Sequence, residues 1–405
     1  MGSINDTFEI EDNFYAAFAN KTKISIEKGK GVYVYDEDGK KYLDLTAGWG
    51  VTSIGHANPV IIEALVEQSK KIIQNPNSGA TYSPARARLL SLMQEILPEN
   101  LSRIFFASTG AEANDAAIKL ARKATGKLNI ISTEKSFHGR TISTVSATGQ
   151  DKHREKFNPL IPCHIFVPYN DTEAIAQVID QNVAAVIVEP VQGEGGINVP
   201  DDDYLEKLSQ LCHENDVLLI IDEIQTGFCR TGSMFMSENV KIDILTMAKG
   251  IGGGFPFAAF AMSEEVHSNL EVGDHGGTYC GNPLGCTVAH AVIKYIMDEQ
   301  ICENVQNVGQ FAMDELLKLK NEYPNIIKDV RGKGLLIAIE IVDEDITATL
   351  NAACMEKGLL INVTQGNIVR MFPALNITKE EMEEGLNIFK NTLNDFKITN
   401  QHSIR

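Results

Sequence analysis

Apolar and polar residues alternate over residues 31–45, where GVYVY and KKYLDL flank an acidic turn closed by Gly39. That period-2 pattern predicts a β-hairpin. Near residue 58 the period changes. Apolar positions recurring every three to four residues predict helices over 59–73 and 84–96, and the short apolar run 103–107 predicts a strand. The exchange continues through helix 111–123, strand 128–132, helix-bearing loops, strand 184–189, helix 204–215 and strands 217–222 and 244–248. Short β-rich runs alternating with helices imply an α/β fold whose mostly parallel sheet is covered by helices on both faces. Beyond a long helical stretch, 285–317, the pattern shifts to strands 330–341, 358–363 and 368–372 and a closing helix 379–396, a smaller α+β unit. The expected division is an N-terminal segment 1–55 belonging with the small domain, a large domain 56–300 and a small C-terminal domain 301–405.

Size and charge narrow the picture. The 405 residues exceed one domain of about 150 residues. With 36 basic against 54 acidic residues the formal charge is −18, which argues against nucleic-acid or anionic-membrane partners. An anionic ligand must then be gripped by a few local arginines. The seven cysteines are scattered without a C-x-x-C pair, and the N-terminal segment has no apolar core of a leader peptide. The expectation is a cytoplasmic protein with reduced thiols. Adjacent Cys–His pairs at 163–164 and 212–213 cannot build a tetrahedral site, so no metal is expected.

The chemistry concentrates in two strand ends. Residues 246–254 (TMAKGIGGG) put Lys249 after a short apolar strand and before glycines that allow close approach. Residues 217–225 (VLLIIDEIQ) put Asp222 at the end of an earlier buried strand. Singly, these read as a solvated lysine and a turn-capping aspartate. Together, in this order, they match what pyridoxal 5′-phosphate (PLP) requires: an amine to bind its aldehyde and a carboxylate to keep its ring nitrogen protonated. Residues 105–114 (FFASTGAEAN) supply a strand, a small-residue turn and a helix start, suited to a phosphate. Thr109 and Glu112 are equally spaced for a capping box. At residues 136–140 (SFHGR), Phe137 either stacks on a planar ring or fills core, and Arg140 either holds a carboxylate or is a surface charge.

Seven blocks in order resemble the class III aminotransferases, PLP enzymes of fold type I, and most closely the acetylornithine/ornithine/4-aminobutyrate branch. They are residues 108–114 (STGAEAN), 136–140 (SFHGR), 188–196 (VEPVQGEGG), 221–225 (IDEIQ), 247–250 (MAKG), 276–283 (GGTYCGNP) and 369–372 (VRMF). The resemblance implies that Lys249 is the Schiff-base lysine and moves the proton, and that Asp222 faces the pyridine nitrogen. It implies further that Gln225 bonds the ring hydroxyl, that Ile224 and Phe137 pack on the two ring faces, and that Thr109, Gly110 and Ala111 cradle the phosphate. His138 and Glu189 join the cofactor contacts. Thr278 resembles the residue that serves a neighbouring subunit's phosphate, which implies a homodimer with shared active sites. Arg370 resembles the arginine gripping the α-carboxylate of glutamate or 2-oxoglutarate, and Glu194 the acid that pairs with it while an ω-amine is bound. An elimination or racemisation enzyme would have no use for that pair.

Three features depart from the branch. The loop 75–84 lacks the usual Asn/Tyr-rich character, the sole tryptophan, Trp49, stands where relatives line the substrate pocket with smaller groups, and Cys229 replaces a more usual glycine. Arg140 suits a donor with a carboxylate remote from its reacting amine, ranking N-acetylornithine, ornithine and 4-aminobutyrate in that order. Trp49 pulls toward a diamine such as putrescine or a hydrophobic amine. Cys229 reads as a neutral packing change.

Overall fold

The central strands carry no alternation because both of their faces are covered. In the computed structural model, which describes residues 4–402, every residue of Val183–Val188 is buried, as a strand inside an α/β layer requires. Seven strands form the large sheet in the order Leu101–Ala107, Ala258–Ser263, Ile244–Met247, Leu218–Asp222, Val183–Val188, Asn129–Thr133 and His164–Val167. Ala258–Ser263 runs antiparallel to both of its neighbours, and the rest of the pairs are parallel. This is the mostly parallel sheet the periodicity predicts. Two of its strands escape the pattern reading. AAFAMS is too poor in β-branched residues to register as a strand, and His164–Val167 is a half-buried edge of four residues.

The helix Gly110–Thr125 covers one face of the sheet. Its buried stripe of Ala113, Ala116, Ala117, Leu120 and Ala121 is mostly alanine, which lets the helix axis lie close to the strands. Gly126, at φ 68°, ends it in the left-handed conformation that a residue without a Cβ adopts freely.

The predicted hairpin forms from Tyr33–Asp36 and Lys41–Asp44, flanked by Ile26–Lys30. Its last strand pairs in parallel with Leu359–Leu360, far along the chain. A third sheet joins Ile327–Lys333, Leu336–Ile341, Ile368–Met371 and Asn362–Thr364. Three boundaries differ from expectation. Residues 330–341 fold back at Gly334, whose φ is +58°. Residues 358–363 divide between two sheets. The helical stretch 285–317 is two helices, Pro283–Asp298 and Ile301–Glu322, broken where Gln300 turns left-handed.

Cys229 is not the neutral packing change the sequence suggested. It bonds to Cys302 across 73 residues, joining the loop after Gln225 to the Ile301–Glu322 helix, so these two thiols are not free as expected. Among the described residues no helix is long and apolar enough to cross a membrane.

Gly309 marks a tight seam of that helix: a Cβ there would lie 2.5 Å from the Gly334 carbonyl oxygen. Gly309→Ala is therefore expected to lower the unfolding free energy by about 1–3 kcal/mol, the usual cost of overpacking. Gly79→Ala, where the added Cβ meets open space, is expected to stay within about 0.5 kcal/mol of the parent, both variants being read by urea titration beside the parent.

Candidate active site

Parallel strands that end level with one another leave a crevice beyond their carboxyl ends. Asp222 closes its strand and pairs in register with Thr246 of the next, which brings Lys249, two residues past that strand's end, to the same rim. The resulting cleft has a volume of about 770 Å³.

Asp222 is buried and held at both oxygens. His138 Nδ1 lies 2.8 Å from its Oδ2, Asn114 Nδ2 donates to the same oxygen at 2.7 Å, and the Ile224 backbone N–H donates to Oδ1 at 3.1 Å. Asn114 in turn accepts from Thr246 Oγ1 and donates to the His138 carbonyl. Sequence reading assigned Asn114 no role. Its signal was a polar side chain on the alanine stripe of the Gly110–Thr125 helix, fully buried among apolar neighbours.

Lys249 sits at φ 47° in a tight turn and donates to Gln225 Oε1. Its side chain keeps some surface open to the cleft, while the surrounding protein desolvates the amine and lowers its pKa from the ordinary lysine value. Glu223, beside the strand end, accepts from Thr226 and Ser237 and so fixes the turn that presents Gln225.

Glu189 follows the Val183–Val188 strand and accepts from the backbone N–H groups of Phe137 and Gly193. Burial, reinforced by Asp222 and opposed by His138, pushes its carboxyl up to about 7. The small-domain sheet supplies the opposite wall. Arg370 there donates through Nη1 to Glu194 Oε1 at 2.8 Å, so residues 176 positions apart in sequence form one ion pair. Burial pushes the Glu194 carboxyl up, but the Arg370 charge and hydrogen bond bring it below its ordinary value. Arg140 also reaches the cleft, its guanidinium 5.5 Å from the Phe137 ring, and among the described residues no carboxylate pairs with it.

Trp49 reaches the same space from a left-handed turn over Ala47–Gly50. Asp44 pins that turn through the Thr46 and Ala47 N–H groups and is itself held by His56. Fourteen of the fifteen sequence-selected site residues, all but Thr278, thus line one cleft. Thr278 stays outside it, its carbonyl bonded by Gln74 and Ser78. The capping-box reading of Thr109 and Glu112 also holds, since the two side chains and backbones bond reciprocally.

Comparison with known proteins places the chain in a family. The family described as Aminotransferase class-III matches residues 14–393. This chain belongs to the class-III aminotransferases. It is 43% identical over 392 residues to the acetylornithine aminotransferase of Methanothermobacter thermautotrophicus, covering 96% of this chain and 99% of that one. An ornithine aminotransferase structure from Toxoplasma gondii, with PLP at partial occupancy in its active site, superposes at TM-score 0.89 with 32% identity, covering 96% and 94% of the two chains. An (S)-enantioselective omega-transaminase from Thermomicrobium roseum superposes at TM-score 0.92 with 29% identity, covering 98% and 99%.

The aminotransferase cleft fits PLP on its own chemistry. A desolvated amine faces it, and two buried nitrogens, His138 Nε2 and Gln225 Nε2, have no hydrogen-bond partner among the described residues. Gly110 leaves room that a Cβ would close, 2.7 Å from Ile224 Cδ1. Gly110 and Ala111 also open a helix, where first-turn N–H groups have no intrahelical acceptor.

Glu189 makes the site sensitive to pH. An acid raised from 4.5 to about 7 is protonated in the fold where the unfolded chain has lost its proton. Its contribution to stability is therefore lost as pH rises through that window. Glu189→Gln is expected to flatten this dependence and to exceed the parent at pH 8 by on the order of 2 kcal/mol, read from paired denaturation curves between pH 5 and pH 8. Parallel curves at every pH would refute it.

Proposed function

We propose that this aminotransferase moves the terminal amino group of N-acetylornithine to 2-oxoglutarate, giving the semialdehyde and glutamate, with PLP as its cofactor. The observation that carries the reading is the Glu194–Arg370 pair beside an unpaired Arg140 in the same cleft. With Arg370 neutralised, Arg140 is a cleft cation that no carboxylate pairs with among the described residues, and an ω-amine donor presents a carboxylate remote from its reacting nitrogen. Withdrawal of Glu194 frees Arg370 for the α-carboxylate of 2-oxoglutarate. One site thus serves two substrates of different shape.

In this reading Lys249 would hold the cofactor and move the proton at the donor carbon, because desolvation leaves more of its amine unprotonated at neutral pH than an exposed lysine would have. Asp222, braced by His138 and Asn114, faces the ring nitrogen. Gln225 and Glu189 take the polar edge, Ile224 and Phe137 the two faces, and Thr109, Gly110 and Ala111 the phosphate. When bound, PLP supplies the electron sink and carries the amino group between half-reactions. Over both halves the donor carbon is oxidised from amine to aldehyde and the keto carbon of 2-oxoglutarate reduced to amine, with one water consumed and one released.

Trp49 supports a second reading. It offers a broad apolar wall, 61% exposed, and the chain also superposes on an omega-transaminase. A diamine or hydrophobic amine would use that wall without needing Arg140, and 4-aminobutyrate stands between the two readings.

Homodimerisation completes the reading. Tyr82, Val272 and Tyr279, on the loops around Thr278, are exposed, as are Phe14, Tyr15 and Phe18 near the N-terminus. That many uncovered large apolar groups suit burial against a second copy, whose cofactor phosphate Thr278 would then serve.

A panel of N-acetylornithine, ornithine, 4-aminobutyrate, putrescine and an alkyl amine against 2-oxoglutarate tests the donor. N-acetylornithine is expected to give the highest kcat/KM, Arg140→Ala to lower it at least tenfold, and Lys249→Ala to abolish turnover. Putrescine or the alkyl amine leading, with Arg140→Ala silent, would favour the second reading. Sedimentation is expected to give a particle of twice 44.4 kDa, and a fully active monomer would refute the shared site.

A further inference from the structure

Arg370 is held by three acceptors, and only one of them is charged. Asn362 stands directly opposite it on the neighbouring antiparallel strand. The Asn362 Oδ1 accepts from both Nε, at 2.9 Å, and Nη2. Nη1 donates to the Gly193 carbonyl at 3.2 Å and to Glu194 Oε1 at 2.8 Å. The guanidinium also lies 5.0 Å from the Phe372 ring centroid. Removing Glu194 from this set leaves two neutral oxygens and an aromatic face, enough to keep the guanidinium in place.

The Glu194 backbone cannot follow its side chain. Its carbonyl accepts from Thr364 Oγ1 at 3.2 Å and Gln365 Nε2 at 2.6 Å. The next residue, Gly195, has no room for a Cβ, which would stand 2.6 Å from the Lys135 carbonyl oxygen. The Glu194 side chain retains 30% exposure toward the cleft, against 3% for Arg370. Motion is therefore left to the Glu194 side-chain torsions.

We propose that Asn362 is the positioning residue that makes this ion pair a switch. As a neutral acceptor it fixes the orientation of Arg370 and takes none of its charge, so one carboxylate at a time, from Glu194 or from the substrate, completes the site. A carboxylate at position 362 would neutralise Arg370 permanently, and an incoming substrate carboxylate would meet a second negative group. An apolar side chain would strand two buried N–H donors. The inference rests on Arg370 as the acceptor-carboxylate residue.

The experiment measures both half-reactions of the holoenzyme, N-acetylornithine as donor and 2-oxoglutarate as acceptor, in Asn362→Asp, Asn362→Leu, Arg370→Ala and Glu194→Ala. Asn362→Asp is expected to raise the 2-oxoglutarate KM at least tenfold more than the donor KM. Asn362→Leu is expected to raise the acceptor KM several-fold in the same direction. Glu194→Ala is expected to improve use of α-amino acids as donors in the parent, and to lose that gain in the Asn362→Asp background, which a merely structural role would not produce. Equal losses in both half-reactions, or a Glu194→Ala gain that survives beside Asn362→Asp, would overturn the proposal. If Asn362→Asp does not fold, the acceptor-to-donor KM ratio of Asn362→Leu decides. An Arg370→Ala enzyme with an unchanged 2-oxoglutarate KM would instead overturn the underlying reading of Arg370.

Discussion

A carboxylate taken out of water must be surrounded by donors, and Asp222 is the point where this protein meets that demand. Its two oxygens are bonded by a histidine from the loop after one strand, an asparagine from a covering helix and the backbone of its own turn. None of these elements can shift without leaving a buried polar group unmatched, a cost of about 1–3 kcal/mol each. The network therefore fixes the rim of the sheet, and Lys249, Gln225 and Glu189 inherit their positions from it.

The second wall of the cleft obeys a different logic. Arg370 is as buried as Asp222, but its charge is answered by one carboxylate, Glu194, whose side chain is 30% exposed. Neutral anchors at Asn362 and Gly193 separate orientation from neutralisation. A half held by hydrogen bonds to one carboxylate faces a half held by a partly exposed ion pair. Such a division suits chemistry that admits two substrates in turn, since the reacting centre stays fixed while recognition changes.

Much of this was legible from residue order. Periodicity located most strands of the large sheet, and the Asp222 and Lys249 motifs marked its functional edge. The strands Ala258–Ser263 and His164–Val167 were not legible, because small residues and a short edge carry little β signal. Asn114 and Asn362 were missed for a related reason. Each is a single amide whose meaning depends on what it touches, and its partners lie on other elements. The Cys229–Cys302 bond likewise joins positions with no spacing motif between them.

Taken alone, the sequence determined the fold class, the family and nearly the whole roster of cleft residues, because those depend on local period and on short motifs that sit at strand ends. Tertiary structure decided which of them touch. Only folding could pair Glu194 with Arg370, turn Asn362 toward the same guanidinium, and bring Arg140 to the same cleft with no carboxylate partner among the described residues. It also kept Thr278 outside the cleft of its own chain, tied to Gln74 and Ser78. The physical reason is range: helix and strand periods are set by neighbours a few residues apart, whereas charge pairing acts through space between segments brought together by the core.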